Sequence, residues 1–175
     1  SIAKKFGFRD IDYNKIDNSI EYLIEVLIDA NTNYDAKLTQ ERLFAWHGAI
    51  FPKAYDKFNA INVATFRGEE TMQVVGGYAG NEIVYYEAPP KSILEKEMQT
   101  FLNWFNSTND DLIKACIAHL WFVIIHPFDD GNGRIARAIT DLVLSKIENS
   151  KISRLYSMSS AINDDRKGYY KALEY

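Results

Sequence analysis

Residues 112–143 read LIKACIAHLWFVIIHPFDDGNGRIARAITDLV, and the fold turns on them. Leu112–Ile125 is apolar nearly all round, the pattern of a helix at the centre of a core. His126-Pro127 stops it, because proline disfavours the α conformation in the residue before it. After the loop Phe128–Gly133 a second helix is predicted from Arg134, with Ile135, Ala138, Ile139, Leu142 and Val143 on one face. Two core helices joined by a short polar loop make this a helical protein whose chemistry-bearing segment lies between them.

Similar patterning extends to both sides. Ile16, Ile20, Leu23, Ile24, Leu27 and Ile28 follow Asn14 at helical spacing, and the pattern ends near Asn31. Another helix is predicted from Thr39 to about Phe51, stopped by Pro52, with Leu43, Trp46 and Ile50 facing inward. Met72–Tyr86 changes character: Met72, Val74 and Val75, then Gly76, Gly77, Gly80 and Asn81, then Ile83, Val84, Tyr85 and Tyr86 spell a β-hairpin. Pro89 and Pro90 close it, and Ser92 with Glu95 has capping-box spacing for a helix carrying Leu94, Met98, Phe101, Leu102 and Phe105. A polar segment, Ser157–Asn163, leads to a short helix containing Tyr169, Tyr170 and Leu173. The expected fold class is all-α, a helical bundle with one β-hairpin, in one domain over residues 1–175. Its core helices fall at about 14–148, the hairpin at about 72–86 and the loop at 126–137.

At 175 residues, with 47% hydrophobic, 14% aromatic and 25% charged residues, the chain has the make-up of a soluble globular domain, not of a disordered or fibrous one. Its longest apolar run, around Leu120–Ile125, falls far short of the roughly 18 residues a membrane span needs. Cys116 is the only cysteine, which excludes an intrachain disulfide framework, fits a reducing, cytoplasmic compartment and reads as a buried structural thiol. Net charge is −4, and basic residues are scattered singly or in pairs such as Lys4-Lys5 and Arg166-Lys167, which argues against nucleic acid as a partner. No signal peptide precedes the first helical pattern, and the chain is expected to begin inside a longer gene product.

The loop has what phosphoryl chemistry needs. Gly131 and Gly133 around Asn132 let the backbone turn tightly and present N–H groups, and the helix that follows adds the positive end of its dipole, which makes an anion site. Arg134 and Arg137 share a helical face and can grip successive phosphates. Asp130 can offer a carboxylate to Mg²⁺. His126, with an ordinary pKa of about 6.5, can take a proton from an attacking hydroxyl. Asp-Gly and Asn-Gly pairs are common turn formers, so the glycine run alone reads as a simple turn. His126, Asp130, Arg134 and Arg137 flanking it in that order move the reading to function. The chain has no G-x-x-x-x-G-K-[ST] run and no alternating acidic calcium loop, and one histidine-centred cluster does not make a zinc site.

His126–Arg137 matches the signature H-x-F-x-[DE]-G-N-G-R-x-x-R at every specified position, and in this the chain resembles the Fic family. Met72–Val75 through Tyr86–Pro90 is similar to that family's flap hairpin, and Tyr156–Ser159 with Arg166–Tyr170 resembles its C-terminal segment. The resemblance implies a Fic-type helical bundle with a β-hairpin flap, and a protein adenylyltransferase that moves AMP from Mg-ATP onto a Ser, Thr or Tyr hydroxyl of a target protein. It implies that His126 is the general base, that Phe128 packs the loop into the core and that Asp130 holds Mg²⁺. Gly131, Asn132 and Gly133 would line the anion hole, Arg134 would bind phosphate oxygens and Arg137 the γ-phosphate. Glycine at 133 and arginine at 134 imply AMP transfer over a kinase-like variant whose relatives carry a lysine in this loop.

In the family the flap pairs with the target's backbone as an added strand. Val74, Val75, Ile83 and Val84 would form that surface, although ordinary hairpin packing accounts for the same residues equally well. Tyr169 and Tyr170 stand as candidates for adenine contact, with packing as their first reading; His47 and His119 read as structural, and Trp46, Trp104 and Trp121 as core.

The expected partners are ATP and a protein substrate, with neither nucleic acid nor membrane; oligomeric state stays open, a homo-oligomer included. Three alternatives stand beside AMP transfer: removal of AMP, transfer of UMP or GMP, and a non-catalytic module of the same fold. The inhibitory motif [ST]-x-x-x-E-[GN] of some relatives is not found in the chain. Ser1–Phe8 resembles the stretch that follows the inhibitory helix in long Fic proteins, so that motif is expected just upstream in the parent protein.

Overall fold

A computed structural model describes residues 18–51, 61–78, 81–149 and 158–173, and the side chains of these other than 18–22, 74–78, 81–85 and 173. In chain order the elements are α1 (Asn18–Thr32), α2 (Gln40–Ile50), β1 (Gln73–Tyr78), β2 (Asn81–Glu87), α3 (Lys91–Ser107), α4 (Leu112–Ile125), α5 (Asn132–Glu148), α6 (Met158–Asp164) and α7 (Arg166–Leu173). The expected class holds: among the described residues the fold is a helical bundle with a single antiparallel hairpin. Asn14, Ile16, Pro52, Gly80, Tyr156, Ser157 and the Ser1–Phe8 stretch lie outside the described residues.

The core is built around α5. Ile135, Ala136, Ala138, Ile139, Leu142 and Val143 are all fully buried, because α4 packs along one side of α5 and α1 along another, with α2 and α6 adding smaller contacts. Phe101 and Phe105 of α3 and Phe122 of α4 complete the cluster. Asp29 fastens α1 to α2 by accepting from Arg42 Nε at 2.8 Å and Trp46 Nε1 at 2.7 Å.

Four sequence expectations need correction here. The wholly central helix is α5, not α4. Among the described residues only α3 and α5 pack substantially on α4, so Ala115, Ala118, His119, Phe122 and Ile125 are buried while Leu112 and Ile113 on the outer side are 65% and 69% exposed. Cys116 belongs to that outer side and is exposed rather than buried. Ser92 and Glu95 do not form a capping box: α3 starts at Lys91 behind Pro90, whose fixed φ of −63° suits the N-cap and whose carbonyl accepts from Ile93, so Ser92 falls inside the first turn. The polar segment after Ser157 is helical, as α6, and Asp165, which accepts from Gly168 N–H at 2.9 Å, starts α7 directly after it. In addition, α5 begins at Asn132, two residues before Arg134, and Trp104 and Trp121 are half-buried against the core while Trp46 is inside it.

The hairpin pairs Gln73 with Glu87 and Tyr78 with Asn81, with an irregularity between Val74 and Val75. Below the strands, Ala88 N–H donates to the Met72 carbonyl at 2.9 Å. Tyr86 O–H donates to the Ile124 carbonyl at 2.8 Å, so the base of the hairpin rests against the last turn of α4.

His119 joins three helices. Thr140 Oγ1 donates to the Ala136 carbonyl at 3.0 Å, which leaves it to accept from His119 Nδ1 at 3.1 Å; Nε2 then accepts from Tyr169 O–H at 3.0 Å. This arrangement needs a neutral ring, and burial drives the His119 pKa down to about 4. In the unfolded chain the same ring titrates at about 6.5. Between those values the unfolded state binds more protons, so stability is full above about pH 6.5 and is lost as pH falls towards 4, by about 3 kcal/mol in total. Urea unfolding at pH 7 and pH 4.5 is expected to show that loss, and the difference between the two pH values is expected to shrink in His119→Asn.

Candidate active site

The loop between α4 and α5 begins on a strained residue. His126 caps α4 in the left-handed region, φ 49° and ψ 57°, with its N–H on the Phe122 carbonyl at 3.1 Å. Its ring Nδ1 donates to the Val123 carbonyl at 3.1 Å, which fixes the tautomer and leaves Nε2 as a lone-pair acceptor. Nε2 has no hydrogen-bond partner among the described residues. Burial holds the His126 pKa below its ordinary value, against the Val123 bond and Asp130 and with help from the nearby Arg67 charge.

Phe128 drives the loop into the bundle. It is fully buried, stacked on His47 with centroids 4.2 Å apart and planes within 15°, and ringed by Phe44, Phe66 and Phe122. His47 Nδ1 accepts from Ala64 N–H at 3.1 Å, so its Nε2–H donates to the Asp130 carbonyl at 3.2 Å. The buried Asn132 side chain closes the loop on itself, accepting from Phe128 N–H at 3.0 Å and donating to the Phe128 carbonyl at 2.8 Å. What Asn132 offers a ligand is therefore its backbone.

Gly131 sits at φ 82° as the N-cap of α5, and a Cβ there would come within 2.9 Å of the Phe51 ring. The N–H groups of Asn132, Gly133 and Arg134 follow in the first turn, where a helix supplies them no acceptor. Asp130 is 61% exposed; one carboxylate oxygen accepts from Gly131 N–H at 2.5 Å and the other meets Arg134 at 3.2 Å. The Arg134 guanidinium also lies 4.6 Å over the Phe51 ring. His126, Asp129, Asp130, Gly131, Asn132, Gly133, Arg134 and Arg137 together line one cleft of about 280 Å³. The loop residues singled out from the sequence for proton transfer, metal and phosphate, His126, Asp130, Gly131, Asn132, Gly133, Arg134 and Arg137, are thus brought to one place, while Phe128 goes into the core.

A second cleft of about 690 Å³ runs from Asp129 to the base of the hairpin, past Asn62, Arg67 and Gln73. Asp129 is held by Asn62, accepting from its backbone N–H at 2.8 Å and its side-chain amide at 2.9 Å. Arg67, 2% exposed, donates through Nε to the His126 carbonyl at 2.9 Å and through its backbone N–H to the Pro127 carbonyl at 2.9 Å, and its guanidinium also bonds the Pro89 carbonyl. Arg67, Asn62 and the loop-bracing role of His47 escaped the sequence reading, because each acts across more than 50 residues and none carries a local spacing signal. Val74 and Val75 lie on β1 and Ile83 and Val84 on β2, with Val75 paired to Val84; their side chains lie outside the described residues.

The family model described as Fic/DOC family matches residues 37–144, from before α2 to within α5. The chain belongs to the Fic/DOC family. Its 122-residue match to the uridine 5'-monophosphate transferase of Xanthomonas campestris pv. campestris is 28% identical, covering 63% of this chain and 22% of that one. It is 34% identical over 88 residues to a probable protein adenylyltransferase of Aquifex aeolicus, covering 47% of this chain and 27% of that one. The solved structure of a Fic family protein from Desulfovibrio desulfuricans superposes with a TM-score of 0.70 at 25% identity, over 98% of this chain and 49% of that one. The chain thus spans about a quarter of the length of these curated relatives.

The Fic match includes the hairpin, the loop and most of α5, and excludes α6 and α7. Tyr169, on α7, spends its hydroxyl on His119, while Tyr170 is exposed. At Gly131 the left-handed backbone and the approach of Phe51 act together. Gly131→Ala is expected to lower unfolding free energy by about 1–3 kcal/mol, a strained non-glycine φ being the main cost, as read by denaturant titration.

Proposed function

We propose that this chain is the nucleotidyltransferase domain of a protein adenylyltransferase, moving AMP from Mg-ATP to a hydroxyl side chain of another protein. The observation that carries the reading is the orientation of His126. With Nδ1–H bound to the Val123 carbonyl, the basic Nε2 is left unpartnered in a residue that lines the same cleft as the α5 N-terminus, Arg134 and Arg137. A base and an anion site in one small cleft suit attack of a hydroxyl on a phosphorus atom.

In this mechanism the first-turn N–H groups of α5 and the two guanidinium groups bind and orient the triphosphate. His126 Nε2 takes the proton of the target hydroxyl as its oxygen attacks the α-phosphorus, and pyrophosphate leaves from the opposite side. Asp130 would hold Mg²⁺: one exposed carboxylate beside phosphate-binding groups suits an ion bound through one or two carboxylates plus phosphate oxygens and waters. The ion, when bound, neutralises phosphate charge. Gly131 and Asn132 shape the backbone of the anion hole, and Gly133 adds its first-turn N–H to it. The hairpin, with Val74, Val75, Ile83 and Val84, would take the target's backbone as an added strand. UMP is the competing donor, favoured by the longer match to the relative named a uridine 5'-monophosphate transferase.

Incubating the protein with labelled ATP, UTP or GTP, Mg²⁺ and host lysate tests the reading, with ATP expected to give the strongest labelled protein band and no label from any of the three overturning it. His126→Ala is expected to lower the transfer rate by ~10²–10⁴-fold with ATP affinity nearly unchanged, since the ring acts on the hydroxyl and not on the phosphates. Arg134→Ala is expected to weaken ATP binding by about tenfold or more in a calorimetric titration. Because His126 works as a neutral base and its pKa lies below the ordinary value, transfer should be fully active at pH 7 and fall on the acid side below about pH 6.5, as read from kcat/KM against pH.

A further inference from the structure

Arg67 is the largest fully buried side chain among the described residues, and its bonds join parts of the molecule that are distant in sequence. It lies on the segment between α2 and β1. Its backbone N–H holds the Pro127 carbonyl and its Nε the His126 carbonyl, both at 2.9 Å. A terminal nitrogen of the same guanidinium holds the Pro89 carbonyl, just below the end of β2. His126 meanwhile occupies a left-handed conformation, which costs a non-glycine residue about 1–3 kcal/mol and persists only where its surroundings over-determine it. The surroundings here are its own N–H on Phe122, its ring on Val123, its carbonyl on Arg67 and the next carbonyl on Arg67 again.

We propose that Arg67 is a positioning residue for group transfer, whose single planar guanidinium sets the base of the flap hairpin and the general base His126 at a fixed distance from each other. The inference rests on the transfer reading above and deepens it. A target strand paired with the hairpin brings its hydroxyl to a place defined by β1 and β2, while the proton acceptor stands at a place defined by the end of α4. These two frames meet in two ways at the hairpin base: Tyr86 on the Ile124 carbonyl, and Arg67 between Pro89 and His126. Arg67 is the one of these that touches the His126 peptide. A lysine ammonium is a point donor on a flexible stem and does not reproduce a planar fork that spans two carbonyls. The nucleotide-binding groups, namely the first turn of α5, Arg134 and Arg137, are separate from the Arg67 contacts, so nucleotide affinity should not follow Arg67.

The test uses the whole chain with Arg67→Met, with Arg67→Lys as the second variant where the first does not fold. With a target that the wild type labels, Arg67→Met is expected to lower kcat by about 10²-fold, the scale of an ångström-level misplacement, with ATP affinity within about twofold of wild type. Arg67→Lys, which keeps the charge and a donor, is expected to fall between. A core variant away from the loop, Phe105→Leu, serves as the control for lost stability and should keep wild-type kcat. A folded Arg67 variant with wild-type kcat would overturn the proposal, as would a parallel loss of ATP affinity or an equal loss of kcat in the control. Amide hydrogen exchange gives a readout independent of activity: His126 and Ala88 are expected to exchange faster together in either Arg67 variant, and unchanged exchange at both sites would also overturn it. If the wild type transfers nothing from any nucleoside triphosphate, the transfer reading fails by itself, and exchange still decides whether Arg67 joins hairpin and loop.

Discussion

Phe128 lies flat on the His47 ring, centroids 4.2 Å apart, and both side chains are fully buried. This contact anchors the only part of the central helix pair that is neither α4 nor α5. A six-residue excursion between two packed helices has few apolar atoms of its own, and without an anchor it would lose little by moving. Burying one phenylalanine contributes about 1.5–3 kcal/mol, enough to hold the loop's middle while its ends are held by the helices. His47 serves this contact with one face and uses its ring nitrogens for Ala64 and the Asp130 carbonyl, so the same side chain fixes the loop in two directions.

With that anchor in place, polar satisfaction decides the rest of the loop. The N–H and C=O of Phe128 are taken up by Asn132, the carbonyls of His126 and Pro127 by Arg67, and the carbonyl of Asp130 by His47. Each of these side chains is mostly or fully buried, so each bond lies where water cannot replace it and where a missing partner costs about 1–3 kcal/mol. The left-handed backbone at His126 and Gly131 is the geometric result. It turns the chain out of α4 and into α5 within a few residues and brings His126 and a helix N-terminus to one cleft.

The sequence was legible where a physical signal is local. The positions of α2, α3, α4 and α5 follow from apolar spacing, the hairpin from glycines between apolar runs, and the loop residues from a contiguous signature. Local patterning misled at α4, because an apolar composition all round says that a helix has no polar face, not that neighbours cover every face; Leu112, Ile113 and Cys116 are exposed for that reason. It misled at Ser92, where the proline turn before α3 outranked a side-chain cap. The braces were illegible for a different reason. Arg67 and His47 act on residues 59 and 83 positions away, and single polar residues at such separations leave no period to read.

The electrostatics of the cleft follow from how weakly its charges are committed. Asp130, just before the N-cap of α5, and Arg134 in its first turn are four residues apart and meet at 3.2 Å, but Asp130 is well exposed, and an exposed pair of this kind is worth about 0–1 kcal/mol. Exchanging it for an incoming anion therefore costs little, while a guanidinium that meets phosphate in a partly enclosed cleft gains a charge-assisted bond. What keeps Arg134 from simply swinging into solvent between these two states is the Phe51 ring under its guanidinium at 4.6 Å, the same ring that forbids a side chain at Gly131. One aromatic face thus does for the arginine what the tautomer lock does for His126: it orients a functional group without engaging the atoms that group would use on a ligand.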